Sequence, residues 1–156
     1  MGDQEFMMAA IELAKAGVRE GLGGPFGAVV VQDGQIIGRG QNRVLADADP
    51  TAHAEVVAIR DACKRRGSFQ LEGCTLYTSC EPCPMCLGAM YWARPDRMVY
   101  ACTRQDASAV GFDDGFIYEE ISRPMAHRHI PAAQCLRAES LEAMRLWADK
   151  TDKTEY

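Results

Sequence analysis

A chain of 156 residues with 47% hydrophobic and 25% charged side chains has the length and composition of one globular domain, able to bury a core without disulfides or a partner. Its net charge of −5 opposes the long-range attraction on which phosphate-backbone binding depends, so a nucleic-acid partner is disfavoured. No stretch approaches the roughly 20 apolar residues of a membrane span, and the first residues lack the basic flank and apolar run of a secretion signal. The expected location is the cytoplasm, with no membrane partner.

In chain order, Met7, Ile11, Ala14 and Val18 recur at helical spacing until Gly21-Leu22-Gly23-Gly24-Pro25, which predicts a first helix. Residues 26–32 and 35–40 flank Asp33-Gly34, a pair that favours a tight primed turn, so they read as a hairpin. A helix from about His53 to Arg66, capped by Thr51 and stopped by Gly67, places Val56, Ile59 and Cys63 on one face. Lys64-Arg65-Arg66 at its end reads as a cation group opposing the helix dipole. A strand at 74–79 leads through Cys80–Cys86 into an apolar helix closing at Ala93-Arg94-Pro95, and a fourth strand follows at 97–101. From Gln105 to Pro131 the pattern weakens, and His127 and His129 there read as surface residues. A strand near Gln134–Arg137 precedes a helix with Leu141, Met144, Arg145 and Ala148 along one side. Strands alternating with helices after an opening hairpin predict a three-layer α/β fold, a mixed five-stranded sheet flanked by helices, in a single domain over 1–156.

Seven cysteines, three of them within positions 80 to 86, suit metal ligation better than disulfides in a chain without a secretion signal. His53-Ala54-Glu55 is followed, 27 residues after Glu55, by Pro82-Cys83-Pro84-Met85-Cys86, a pattern similar to the zinc deaminase signature H-x-E…P-C-x-x-C. Two cysteines three apart at a helix start share one face, and the unpaired amides there favour thiolates. Cys83, Cys86 and His53 are thus candidate ligands of one zinc ion per chain, with the fourth tetrahedral position open to a water whose pKa the metal brings near neutrality. Glu55 is assigned no metal bond, because a hard carboxylate suits this soft site less than thiolates do. Its expected task is general acid–base proton transfer. The competing reading adds Cys80 as a fourth ligand and makes the chain a structural zinc module without catalysis, which leaves Glu55 without a role. Cys63, Cys74, Cys102 and Cys135 have no metal-spaced partner and are expected to be buried small residues.

The chain resembles the cytidine deaminase-like superfamily, and within it the small bacterial guanine deaminases. The resemblance runs through Gly24-Pro25-Phe26-Gly27-Ala28-Val29, Asn42, Asp49 to Glu55, Thr78 to Cys86, Tyr91 to Pro95, Gly111-Phe112-Asp113-Asp114 and Glu155-Tyr156. The zinc motif is shared with cytidine, cytosine and tRNA-adenosine deaminases; the G-F-D-D block and the final tyrosine point to guanine. The resemblance implies a cytidine deaminase-like fold, zinc on His53, Cys83 and Cys86, and proton transfer by Glu55 as guanine becomes xanthine and ammonia. It also implies that Phe26 stacks on the purine, Asn42 hydrogen-bonds its ring and Asp114 accepts from its N–H groups. A homodimer is implied as well, with the tail of about 150–156 exchanged and Tyr156 closing the partner's site. Guanosine, cytosine or a tRNA adenosine is the alternative substrate, since room for a ribose is not legible in sequence.

Overall fold

The Asp33-Gly34 pair turns the chain with positive φ at both residues, 49° and 74°, and joins β1 (Gly27–Gln32) to β2 (Gln35–Gln41) in antiparallel register. β3 (Cys74–Cys80) pairs antiparallel with the other side of β1, and β4 (Arg97–Cys102) runs parallel to β3. The result is a mixed 4-stranded sheet of order β2-β1-β3-β4 in a computed structural model that describes residues 2–156. The fifth strand expected near Gln134–Arg137 does not form among the described residues. Leu136 takes a left-handed conformation, φ 53°, which breaks an extended run and opens a helix at Arg137.

Helix α1 (Asp3–Arg19) covers one face of the sheet, where Phe6 packs with Val29, Val31 and Tyr77. The other face packs Ala28, Val30 and Leu76 against α2 (Ala54–Arg66) and α3 (Pro84–Ala93) through Ala54, Ala58, Ala62, Met90 and Ala93. Alternate residues of β1 thus feed two separate cores, as the strand period requires. The buried face of α1 is Phe6, Ala10, Ala14 and Gly17; of the helically spaced Met7, Ile11, Ala14 and Val18 only Ala14 lies on it, the other three sit one position away, and Val18 is exposed. Close approach explains the shift: a Cβ on Gly27 would lie 2.0 Å from Ala10 O and 2.6 Å from Ala14 N. Only the small-residue face of the helix can lie that near the strand. α2 repeats the arrangement, burying Ala54, Glu55, Ala58 and Ala62, and a Cβ on Gly40 would lie 2.2 Å from Ala54 O.

The helix boundaries follow local chemistry. Gly67 ends α2 in the left-handed conformation, φ 68°, and Lys64, Arg65 and Arg66 occupy its last turn. Thr51 does not cap α2: its amide and hydroxyl both donate to Asp49 Oδ1, at 2.8 and 2.7 Å, and His53 takes the N-cap position. The weakly patterned region contains α4 (Arg104–Ala109), which opens with a Thr103/Asp106 capping box, and α5 (Gly115–Ser122).

The chain divides into two compact units, one ending at Gly115 and one spanning Phe116–Tyr156. The second unit holds most of α5, a 3-10 turn (Met125–His127) and α6 (Arg137–Asp149). Arg128 folds the segment after α5 back onto that helix by donating to the carbonyls of Glu120, Ile121 and Arg123 at 3.0, 3.2 and 3.2 Å. His127 and His129 are exposed there, as expected. No residue of the second unit is buried, although Ile130, Leu136 and Leu146 belong to it. Cys74 is buried and Cys63 half-buried, but Cys102 and Cys135 are exposed, contrary to expectation. Cys102 ends an edge strand and Cys135 lies in the open segment before α6, so neither has a layer above it. No helix among the described residues is long and apolar enough to cross a membrane.

Candidate active site

Two helix starts meet at the C-terminal end of β3. His53 is the N-cap of α2 and Cys83 the N-cap of α3, both in extended conformation, and Pro84 opens α3 because the first helical position needs no N–H. Glu55 and Cys86 sit in the first turns of the same two helices. Long-range packing brings these ends together: His53 Nδ1 lies 3.5 Å from Cys83 Sγ and 3.5 Å from Cys86 Sγ.

The His53, Cys83 and Cys86 donor atoms all lie within 4.8 Å of one another. A tetrahedron with zinc–nitrogen and zinc–sulfur bonds of about 2.0 to 2.3 Å has edges of roughly 3.5 Å, so this nitrogen and its two sulfurs fit zinc without rearrangement. The hydrogen bond from Cys86, then that from His53, pulls the Cys83 thiol far below its usual range. The same bond, with burial, pushes Cys86 up, while Cys83 raises His53. A thiolate-forming pair beside an imidazole is the donor chemistry zinc selects.

Cys80 is not part of the cluster. Its thiol points to Thr103 O at 3.5 Å, and burial, followed by the charge of Cys102, pushes it up to about 12. Three protein donors leave one tetrahedral position open.

Glu55 is buried beside the cluster, 5% exposed, and burial raises its carboxyl above the ordinary range. Thr78 Oγ1 donates to Glu55 Oε1 at 2.9 Å. Reading the sequence missed Thr78. Its signal was a hydroxyl in the alternation Leu76, Thr78, Cys80 on the face of β3 that looks toward α2.

The expected base-contacting residues fall in two groups. In the first unit, Phe26 packs edge-on against Phe112, with centroids 5.0 Å apart and planes at 86°. Asn42 is 5% exposed, and its Oδ1 accepts from Gly24 N at 3.3 Å and Val44 N at 3.1 Å, which commits the oxygen and leaves Nδ2 as the donor. Asp114 is half-buried; burial raises its carboxyl, and the charges of Cys83, Arg104 and Glu81 all act on it. Its neighbour Asp113 is exposed and accepts locally from Gly115 N at 2.9 Å. Tyr156 belongs to the second unit, where its ring stands edge-on to Trp147, centroids 6.5 Å apart.

Residues 1–102 match the family model of the cytidine and deoxycytidylate deaminase zinc-binding region. The chain is 54% identical over its full length to the whole of a guanine deaminase from Bacillus subtilis (strain 168). The X-ray structure of the guanine deaminase from Bacillus subtilis superposes with a TM-score of 0.97, covering 100% of this chain and 99% of that one. A tRNA-specific adenosine deaminase from Aquifex aeolicus (strain VF5) is 41% identical over 65% of this chain and 66% of its own. A guanine deaminase structure from Nitrosomonas europaea, 36% identical, gives a TM-score of 0.69 over 73% of this chain and 66% of that chain.

Proposed function

We propose that this chain, which belongs to the cytidine and deoxycytidylate deaminase zinc-binding family, hydrolyses guanine to xanthine and ammonia with one zinc ion held by His53, Cys83 and Cys86. The observation that carries the reading is a three-donor centre with an open position in a chain alike over its full length to a guanine deaminase. A purely structural zinc module fits poorly, because Cys80 stands outside the cluster.

Zinc at this centre supplies a Lewis acid that makes water nucleophilic near neutral pH. Glu55 would carry both protons of the attacking water in turn: the first, taken as the water attacks, goes to a ring nitrogen, and the second, taken from the added hydroxyl as the carbonyl forms, goes to the departing amine. Its burial supports that work, because a carboxyl raised out of its ordinary range changes protonation nearer the working pH. Phe26, fixed edge-on by Phe112, presents a ring to the purine face. Asn42 donates through Nδ2 to a purine acceptor, and Asp114 accepts from the ring N–H and the adjacent amine.

Residues 1–156 act as one cytidine deaminase-like domain in a homodimer that exchanges the tail of about 150–156, so that Tyr156 closes the partner's site. Support comes from the second unit, which buries no residue of its own and leaves Tyr156 69% exposed. Seven free cysteines suit a reducing compartment and support action in the cytoplasm. The test is ammonia release from guanine, guanosine, adenine, cytosine, cytidine and a tRNA adenosine stem-loop. Guanine is expected to dominate kcat/KM; preference for any other substrate overturns the reading.

A further inference from the structure

β3 and β4 end side by side, with Cys80 opposite Cys102 in parallel register. Beyond that rung one strand runs to the metal ligand Cys83, and the other runs through α4 to Phe112 and Asp114. Chains leaving adjacent strand ends are free to diverge, but these two are tied repeatedly. Glu81 N donates to Cys102 O at 2.8 Å, which adds a rung past the sheet, and the Cys80 thiol donates to Thr103 O at 3.5 Å. Arg104 N donates to Glu81 Oε2 at 2.9 Å, with Arg104 Nε 3.5 Å from Glu81 Oε1.

Arg104 is the first residue of α4, so its amide has no acceptor inside the helix. The side chain that satisfies it comes from the metal-binding loop, while Thr103 serves Asp106 N within α4's own capping box. At the far end Phe112 N donates to Ala107 O at 3.0 Å and the Phe112 ring lies on Phe26. The segment from Arg104 to Asp114 is therefore held by Glu81 at one end and Phe26 at the other.

We propose that Glu81 is a positioning residue for base recognition: by capping Arg104 it sets how far Asp114 stands from the His53, Cys83 and Cys86 centre, and so governs affinity for a purine with adjacent N–H donors. This rests on the role given to Asp114 above. The charges on Asp114 are consistent with it, since Cys83, Arg104 and Glu81 act on that carboxyl together. Removing Glu81 both frees the start of α4 and releases Arg104 to compete for Asp114 as a carboxylate partner.

The test compares the zinc-loaded full chain with Glu81→Ala and Glu81→Gln by steady-state kinetics, zinc content and amide hydrogen exchange. Glu81→Ala is expected to raise KM for guanine by about 10-fold, the scale of one lost hydrogen bond to a charged group, with kcat within about threefold and zinc retained. Exchange should quicken over residues 104–114 and stay unchanged over 84–93. Glu81→Gln keeps an acceptor for the Arg104 amide and should recover much of the KM. Unchanged KM and unchanged protection in Glu81→Ala overturn the proposal, as does a loss of zinc, kcat and protection together. If the wild type itself fails to deaminate guanine, the proposed activity falls, and the exchange of 104–114 still decides whether Glu81 braces that segment.

Discussion

The hydroxyl of Thr78 donates to Glu55 Oε1 over 2.9 Å, joining β3 to the first turn of α2 in an interior where Thr78 is 1% and Glu55 5% exposed. Cys80 O lies at the same 2.9 Å from Thr78 Oγ1, yet the hydroxyl has a single hydrogen. A carboxylate outcompetes a neutral carbonyl for it, so the bond aims Glu55 while that residue is charged.

Thr78→Val keeps the shape and removes the hydroxyl. It should lower kcat by about 10- to 100-fold, the scale of a lost hydrogen bond to a charged group, with KM and zinc content unchanged. Thr78→Ser should restore most of the rate. Glu55→Gln should retain fold and zinc while kcat falls by roughly 10²- to 10⁴-fold. Wild-type turnover in Glu55→Gln removes that residue from the mechanism.

Chelation should abolish turnover, and zinc should restore it. Cys83→Ala and Cys86→Ala should lose metal and activity together, because each removes one of three donors. Cys80→Ala should keep one zinc per chain, read by elemental analysis, since its thiol faces Thr103 O. Zinc loss in Cys80→Ala would mean a four-ligand, closed site.

Two adjacent aspartates should respond differently. Asp114→Asn should raise KM for guanine by about 10-fold or more while leaving zinc and thermal stability near wild type. Asp113→Ala loses the acceptor for Gly115 N and should lower stability by about 1 kcal/mol with KM unchanged. A KM effect confined to Asp113→Ala would move base recognition to that residue.

The start of α1 is tied to the sheet by one carboxylate. Asp3 accepts from Arg97 Nη1 at 3.2 Å and from Tyr77 Oη at 2.7 Å, and these bonds, Arg97 first, hold it below its ordinary 3.8. A folded pKa below the unfolded value means that the unfolded chain binds the proton more readily. The contribution is therefore complete above pH 3.8 and disappears as the pH drops through the lower folded value. Urea midpoints measured from neutral pH to about 2 should fall more steeply for the wild type than for Asp3→Asn at the acid end. Parallel curves would remove Asp3 from the acid response.

Deleting Tyr156 should lower activity without changing zinc content. If the tail closes a neighbour's site, mixing the deleted chain with Glu55→Gln should restore activity, because a mixed dimer assembles one intact site. No recovery after confirmed subunit exchange would confine Tyr156 to its own chain.

Sequence alone was enough for the parts whose chemistry is local. Asp33-Gly34 specifies its turn because both residues tolerate positive φ, Gly67 ends α2 for the same reason, and Cys83 and Cys86 share a face through helical spacing. The donor set His53, Cys83 and Cys86 was legible because zinc chemistry restricts residue types strongly. The buried faces of α1 and α2 were decided by tertiary structure: periodicity says which residues share a face, but Gly27 and Gly40 determine which face can come close. The missing fifth strand turned on Leu136, whose backbone conformation no propensity foretells. Thr78 meeting Glu55, and Glu81 meeting Arg104, each span 23 residues of chain. Such pairs exist only because β3 lies beside β4 in the sheet and turns one face toward α2, a placement that depends on long-range packing and leaves no periodic trace in the sequence.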